Sequence, residues 1–100
     1  MDMIEWLQKW YLNRCNADWE HEYGIHIETL DNPGWSVVID LSNTEIEDFE
    51  IQYTLLENSD FDWIAYSVSN KTFRGVGSPQ KLNSIISLFK ELWESNCNRI

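Results

Sequence analysis

One hundred residues, 43% of them hydrophobic and 14% aromatic with six Trp, make a single globular domain over 1–100 and rule out a disordered tail. Its apolar runs are only a few residues long, as in Val37-Val38-Ile39, and fall far short of the ~20 residues a membrane span needs. Seven Lys and Arg against seventeen Asp and Glu leave a net charge of −10, and residues 15–70 hold thirteen of the acids and no Lys or Arg.

Asp2 is placed to cap a first helix running to about Cys15, in which Ile4, Leu7 and Tyr11 recur at i, i+3 and i+7. Met3, Trp6 and Trp10 widen that stripe, and the polar segment Asn16 to Tyr23 follows, closed by Gly24. Ile25 and Ile27 then alternate with His26 and Glu28. After Asp31-Asn32-Pro33-Gly34, the set Trp35, Val37, Ile39 and Leu41 alternates with Ser36, Val38 and Asp40, so the two runs predict a hairpin. Ser42 to Phe49 is acidic and reads as a connecting loop. Ile51, Tyr53 and Leu55 alternate with Glu50, Gln52 and Thr54. After Asn58-Ser59-Asp60, a strand over 62–69 turns Ile64, Tyr66 and Val68 one way and Trp63, Ala65 and Ser67 the other. Asn70-Lys71 turns the chain into a short edge strand, Thr72-Phe73-Arg74, and Gly75-Val76-Gly77 breaks the pattern. Ser78 as N-cap and Pro79 at the first helical position open a last helix with its stripe at Leu82, Ile85, Ile86, Phe89 and Trp93.

The fold class this order predicts is α+β: an antiparallel sheet of four or five strands, paired as a meander, with the N-terminal and C-terminal helices packed on one face. The other face then presents His26, Glu28, Ser36, Val38, Asp40, Gln52, Thr54 and Trp63.

Little in the chain points to catalysis. Cys15 and Cys97 have no C-x-x-C spacing and read as reduced thiols; acids follow Cys15, which disfavours a thiolate. His21 and His26, with Asp18 and Glu20 nearby, are the residues of a metal-assisted enzyme if there is one, yet their H-x4-H spacing matches no zinc pattern. Gly75-Val76-Gly77-Ser78-Pro79 lacks the Lys of a P-loop and is explained by a turn and a helix cap. No cofactor or metal is expected. The N-terminus Met1-Asp2-Met3-Ile4-Glu5 carries acids where a signal peptide carries Lys or Arg, so the expected location is the cytoplasm.

The charge points instead to binding. A stretch as acidic as 15–70 repels phosphate, so nucleic acid is a poor partner and a basic protein a good one. Trp6, Trp10, Trp35 and Trp93 fall on inward stripes, whereas Trp19 and Trp63 are flanked by acids in Asp18-Trp19-Glu20-His21 and Asp60-Phe61-Asp62-Trp63. An aromatic anchor ringed by charge is the composition of a binding hot spot; the bland alternative is that each ring tucks under a loop. The candidate partner-binding residues are therefore Asp18, Trp19, Glu20, His21, Glu28, Asp31, Asp40, Asp60, Asp62 and Trp63. Lys81 and Lys90, on the last helix, are expected to lie remote from that surface.

Trp6-Leu7, Trp10-Tyr11, Cys15, Asp18-Trp19-Glu20-His21, Tyr23-Gly24-Ile25, Asp31-Asn32-Pro33-Gly34-Trp35, Ile39-Asp40-Leu41, Asp62-Trp63 and Phe73-Arg74-Gly75 resemble the signature of the immunity protein 53 family. These are small immunity proteins of bacterial polymorphic toxin systems. The resemblance covers nearly the whole chain, with Ala17 where the pattern has Gly before Asp-Trp-Glu-His and Ser78 where a third Gly precedes Pro79. It implies neutralisation of a cognate toxin by direct binding, and the charge suggests a basic, nuclease-like one. A metal-assisted enzyme on Glu20, His21 and His26, or a general acidic interaction module, are the competing readings.

Overall fold

Asp2 Oδ1 accepts the Glu5 backbone N–H at 2.7 Å and opens helix α1 (Met3–Arg14) in the computed structural model, which describes residues 2–97. Leu7 and Trp10 are buried and Met3 and Trp6 pack against the core, while Ile4 and Tyr11, expected in the same stripe, stay largely exposed. The helix is therefore rotated toward its Trp side. The segment expected to be merely polar contains a one-turn helix, α2 (Trp19–Glu22).

Strands β1 (Ile25–Leu30), β2 (Gly34–Asp40), β3 (Ile51–Ser59), β4 (Asp62–Ser69) and β5 (Thr72–Gly77) form one antiparallel sheet, and helix α3 (Leu82–Cys97) closes the chain. The α+β class is as expected; the meander is not. The strand order is β1-β2-β5-β4-β3, so β2 pairs with β5 and the 41–50 segment carries the chain to the far edge before β3 begins. That segment is more than a solvated connection. Leu41 and Ile46 are buried, Thr44 Oγ1 donates to the Leu41 carbonyl at 2.7 Å, and Phe49 and Ile51 pack on the core. Alternation cannot reveal such a segment, because its apolar residues are spaced by local turns rather than by a strand or helix period.

β5 is longer and more central than a short edge strand. Its glycines admit α3: a Cβ at Gly75 would lie 2.6 Å from Ile85 Cγ2, and one at Gly77 would lie 2.8 Å from Lys81 Cβ. Residues that look like a break in sequence are the places where helix and sheet approach most closely. α3 also starts later than expected. Ser78 is buried and its hydroxyl exchanges hydrogen bonds with the Trp63 backbone, while Pro79 sits in a turn closed by the Lys81 N–H on the Ser78 carbonyl.

α1 and α3 lie side by side in the same direction. Trp6 and Trp10 meet Phe89 edge to face at 5.9 and 5.3 Å, and Trp10 meets Trp93 at 5.4 Å. Below them Val37 and Ile39 of β2, Val68 of β4 and Phe73 of β5 complete the core. At the C-terminal end of α1 the Arg14 guanidinium lies 4.9 Å from the Trp93 ring centre and 5.4 Å from that of Trp10, and reaches Glu45 of the crossover at 3.5 Å. On β3, a register shift between Ile51 and Thr54 puts Thr54 opposite Tyr66, on the helix side, and Leu55 opposite Ala65 on the open side. The expected place of Thr54 on the open face is thus corrected by a bulge, which one-residue alternation does not anticipate.

Candidate interaction surface

The predicted residues gather at opposite ends of the sheet. One end holds α2, the crossover and the β4–β5 turn; the other holds the β1–β2 turn, the β3–β4 turn and the chain leaving β5.

At the first end most of the candidates are engaged. Trp19 is only 4% exposed: its ring meets Trp10, Tyr11 and Tyr23, and its indole N–H donates to the Ser42 carbonyl at 2.8 Å. It is a core side chain tucked under the crossover, as the alternative reading has it, and not an exposed anchor. Glu20 closes the loop before α2, its two oxygens accepting the N–H groups of Asn16 at 3.0 Å and Ala17 at 2.9 Å. Its own backbone N–H, with those of Asn16 and Ala17, holds the carboxyl below the usual glutamate range. Asp40 accepts the Gly24 N–H at 3.0 Å and ties the start of β1 to the end of β2. Asp18 and His21 remain exposed. Among the described residues no three His, Cys, Asp or Glu side chains are grouped as a metal site, so Glu20, His21 and His26 do not form one.

The second end is different. Asn32 and Pro33 from the β1–β2 turn, Asp60 and Phe61 from the β3–β4 turn, Trp63 on β4, and Ser78 and Pro79 line a cleft of about 350 Å³. The half-buried Trp63 stands on the open side of the sheet, opposite Glu57, and its backbone is pinned to Ser78. Phe61 is 87% exposed at the tip of its turn. Asp60 lines the cleft and is exposed, Asp31 is exposed one residue before Asn32 in the β1–β2 turn, and Glu28 is exposed farther along β1. Asp62 belongs to the same rim but is paired: its Oδ1 lies 2.6 Å from Lys81 Nζ, and its Oδ2 accepts from Asn58 at 3.2 Å. The Lys81 ammonium, then the Asn58 amide, keep its carboxyl below the usual aspartate range. Lys81 is therefore not remote from the candidate residues. Lys90 keeps to its own helix, pairing with Glu94 at 2.8 Å.

Phe61 is the residue that sequence reasoning missed. Its signal was present: an aromatic between two aspartates in a turn, with no place in either neighbouring strand's alternation.

Residues 4–94 match the family described as immunity protein 53. The chain belongs to that family. Membership carries an immunity function, with a toxin as the implied partner, and points to a non-enzymatic role. No curated protein and no solved structure matches the chain. Ala17, just before Asp-Trp-Glu-His, sits at φ 78° in the left-handed region that glycine adopts at least cost. Among the described residues no helix is long and apolar enough to cross a membrane.

Proposed function

We propose that this protein neutralises its cognate toxin by direct binding, with the turn end of the sheet as the contact surface. The observation that supports this reading is the pairing of Phe61, 87% exposed, with the Trp63 cleft inside a rim of free carboxylates at Asp31 and Asp60. Rings set in a partly desolvated recess supply the binding energy, and rim charges set the approach and the choice of partner. The net charge of −10 favours a basic toxin, such as a nuclease-type domain, over an acidic one. Asp18, at the far end, adds to the long-range acidic field without touching the partner, and His21 beside it is likewise outside the contact.

The test is protection of cells expressing the toxin encoded beside this gene, combined with affinity for the purified toxin domain. Phe61→Ala is expected to cost about 2 kcal/mol or more of binding free energy, mainly through faster dissociation. Lys90→Glu is expected to leave affinity unchanged. Loss of protection with Lys90→Glu and full protection with Phe61→Ala would move the interface to the helical layer.

A further inference from the structure

The edge strand β1 carries a second feature. Between it and α1 lies an open groove of about 410 Å³, walled by Ile4, Leu7 and Tyr11 from the helix and by Gly24, Ile25 and Ile27 from the strand side. Three of these apolar side chains remain exposed, Ile4 by 52%, Tyr11 by 41% and Ile27 by 39%.

The backbone beside the groove is unpaired on its outer side. The Asp40 N–H donates to the Gly24 carbonyl at 3.1 Å, and these residues are one step beyond the Ile25–Ile39 pair in the β1–β2 register. Ladder alternation then turns the peptide groups of His26 and Glu28 toward β2, and those of Ile25, Ile27 and Thr29 outward. The residues whose backbone faces outward are also those whose side chains lie on the helix side of the sheet. β1 is regular in register throughout, whereas the other edge, β3, is broken by shifts between Ile51 and Thr54 and between Glu57 and Ser59.

Gly24 supplies the independent observation. Its φ is not positive, and a Cβ built there would meet nothing within 4 Å. Neither the backbone nor packing requires glycine at this position; its effect is to leave the groove unobstructed at that end.

We infer that β1 accepts an extended segment of the toxin as an added strand, with alternate apolar side chains entering the groove and the intervening side chains basic. Main-chain hydrogen bonds to Ile25, Ile27 and Thr29 supply affinity, and the groove selects the alternation. The basic positions follow from Glu28, exposed on the opposite side of β1, and from the location of β1 within the segment of thirteen acids and no Lys or Arg. A second copy is the poorer occupant, because each chain brings a net charge of −10. This inference rests on the toxin-binding reading and deepens it. β1 leads directly into the Asp31 turn, so an added strand runs along β1 between the groove at its Gly24 end and the cleft at its turn end.

The probe is an acetylated peptide alternating valine and lysine, matched in length to the six residues of β1, with a block peptide of the same composition as control. Amide exchange is followed residue by residue on the full chain. The alternating peptide is expected to slow exchange at Ile25, Ile27 and Thr29 by about tenfold or more, and the block peptide to leave it unchanged. Gly24→Leu, and separately Ile27→Lys, should keep the melting transition and weaken both peptide and toxin binding by about tenfold, by occlusion and by charge respectively. Unchanged exchange, an equal effect of the block peptide, or toxin affinity unaltered in both variants overturns the groove and leaves toxin binding elsewhere intact. Exchange protection without any capture of the toxin overturns the immunity reading and leaves β1 as a strand-docking edge. A concentration-dependent dimer abolished by Gly24→Leu overturns the choice of occupant.

Discussion

Ala17 at φ 78° and Lys71 at φ 62° hold left-handed backbone without the residue type that adopts it at least cost. Lys71 is the second residue of the Asn70-Lys71 turn between β4 and β5, where both φ values are positive, a geometry for which Asn-Gly is the preferred pair. Ala17→Gly and Lys71→Gly are each expected to raise stability by about 0.5–1 kcal/mol, since relief of backbone strain exceeds the entropy that glycine adds to the unfolded chain. Thermal melts of the two single variants and the double check this, and the double should be additive because the sites share no partner. Glu20 makes a prediction in pH. Its carboxyl is held below the ordinary glutamate value of 4.5 by its own N–H and those of Asn16 and Ala17, so the folded state binds its proton less readily than the unfolded state. Its contribution is therefore complete above that value and is lost as pH falls through the lower folded value. Glu20→Gln is expected to lower the melting temperature near neutrality and to reduce its fall on acidification below 4.5, measured as melting temperature against pH.

At the scale of elements, the contact of α3 with β5 is a tight constraint. Gly75→Ala drives a methyl group to 2.6 Å from Ile85 Cγ2, beside the Phe73 ring. The cost is expected to be about 1–3 kcal/mol, read from denaturant unfolding. Ile85→Leu, which has no branch at Cβ and so removes Cγ2 while keeping the side-chain volume, should recover part of it in the double variant. The same contact explains what the chain made legible and what it hid. Both long helices, the β1–β2 hairpin and the two faces of β4 follow from periodicity and turn chemistry, because those elements obey one period from end to end. β5 was hidden because its glycines serve close packing, and the crossover because Leu41, Thr44 and Ile46 are buried by local turns. The strand order was hidden because alternation reports which way a side chain faces and not which strand lies beside it. The candidate site was legible in its charges and only half legible in its aromatics. Trp19 and Trp63 have similar acidic flanks, and the difference between them comes from Trp10, Tyr11, Tyr23 and Ser42 closing over Trp19, contacts made between elements far apart in sequence.

For the molecule as a whole, the two ends of the sheet differ in what they present. The C-terminal ends of α1 and α3 gather over the crossover, where the Arg14 guanidinium is held between Trp10 and Trp93 and meets Glu45, so one of the few cations is spent inside the structure. Lys81 is taken up by Asp62 and Lys90 by Glu94. The turn end keeps the unpaired carboxylates of Asp31 and Asp60 beside Phe61 and the Trp63 cleft. An acidic field with an exposed ring and a cleft beside unpaired carboxylates suits rapid capture of a cationic partner, which must be bound before it acts. The most direct measurement is the association rate with the purified toxin across ionic strength, for the wild type and for Asp31→Lys and Asp60→Lys. The wild-type rate is expected to fall steeply with salt, and the variants to associate about tenfold more slowly at low salt and to converge on the wild type at high salt. A wild-type rate independent of salt, with the variants equal to it throughout, would contradict capture of a basic toxin at the turn end.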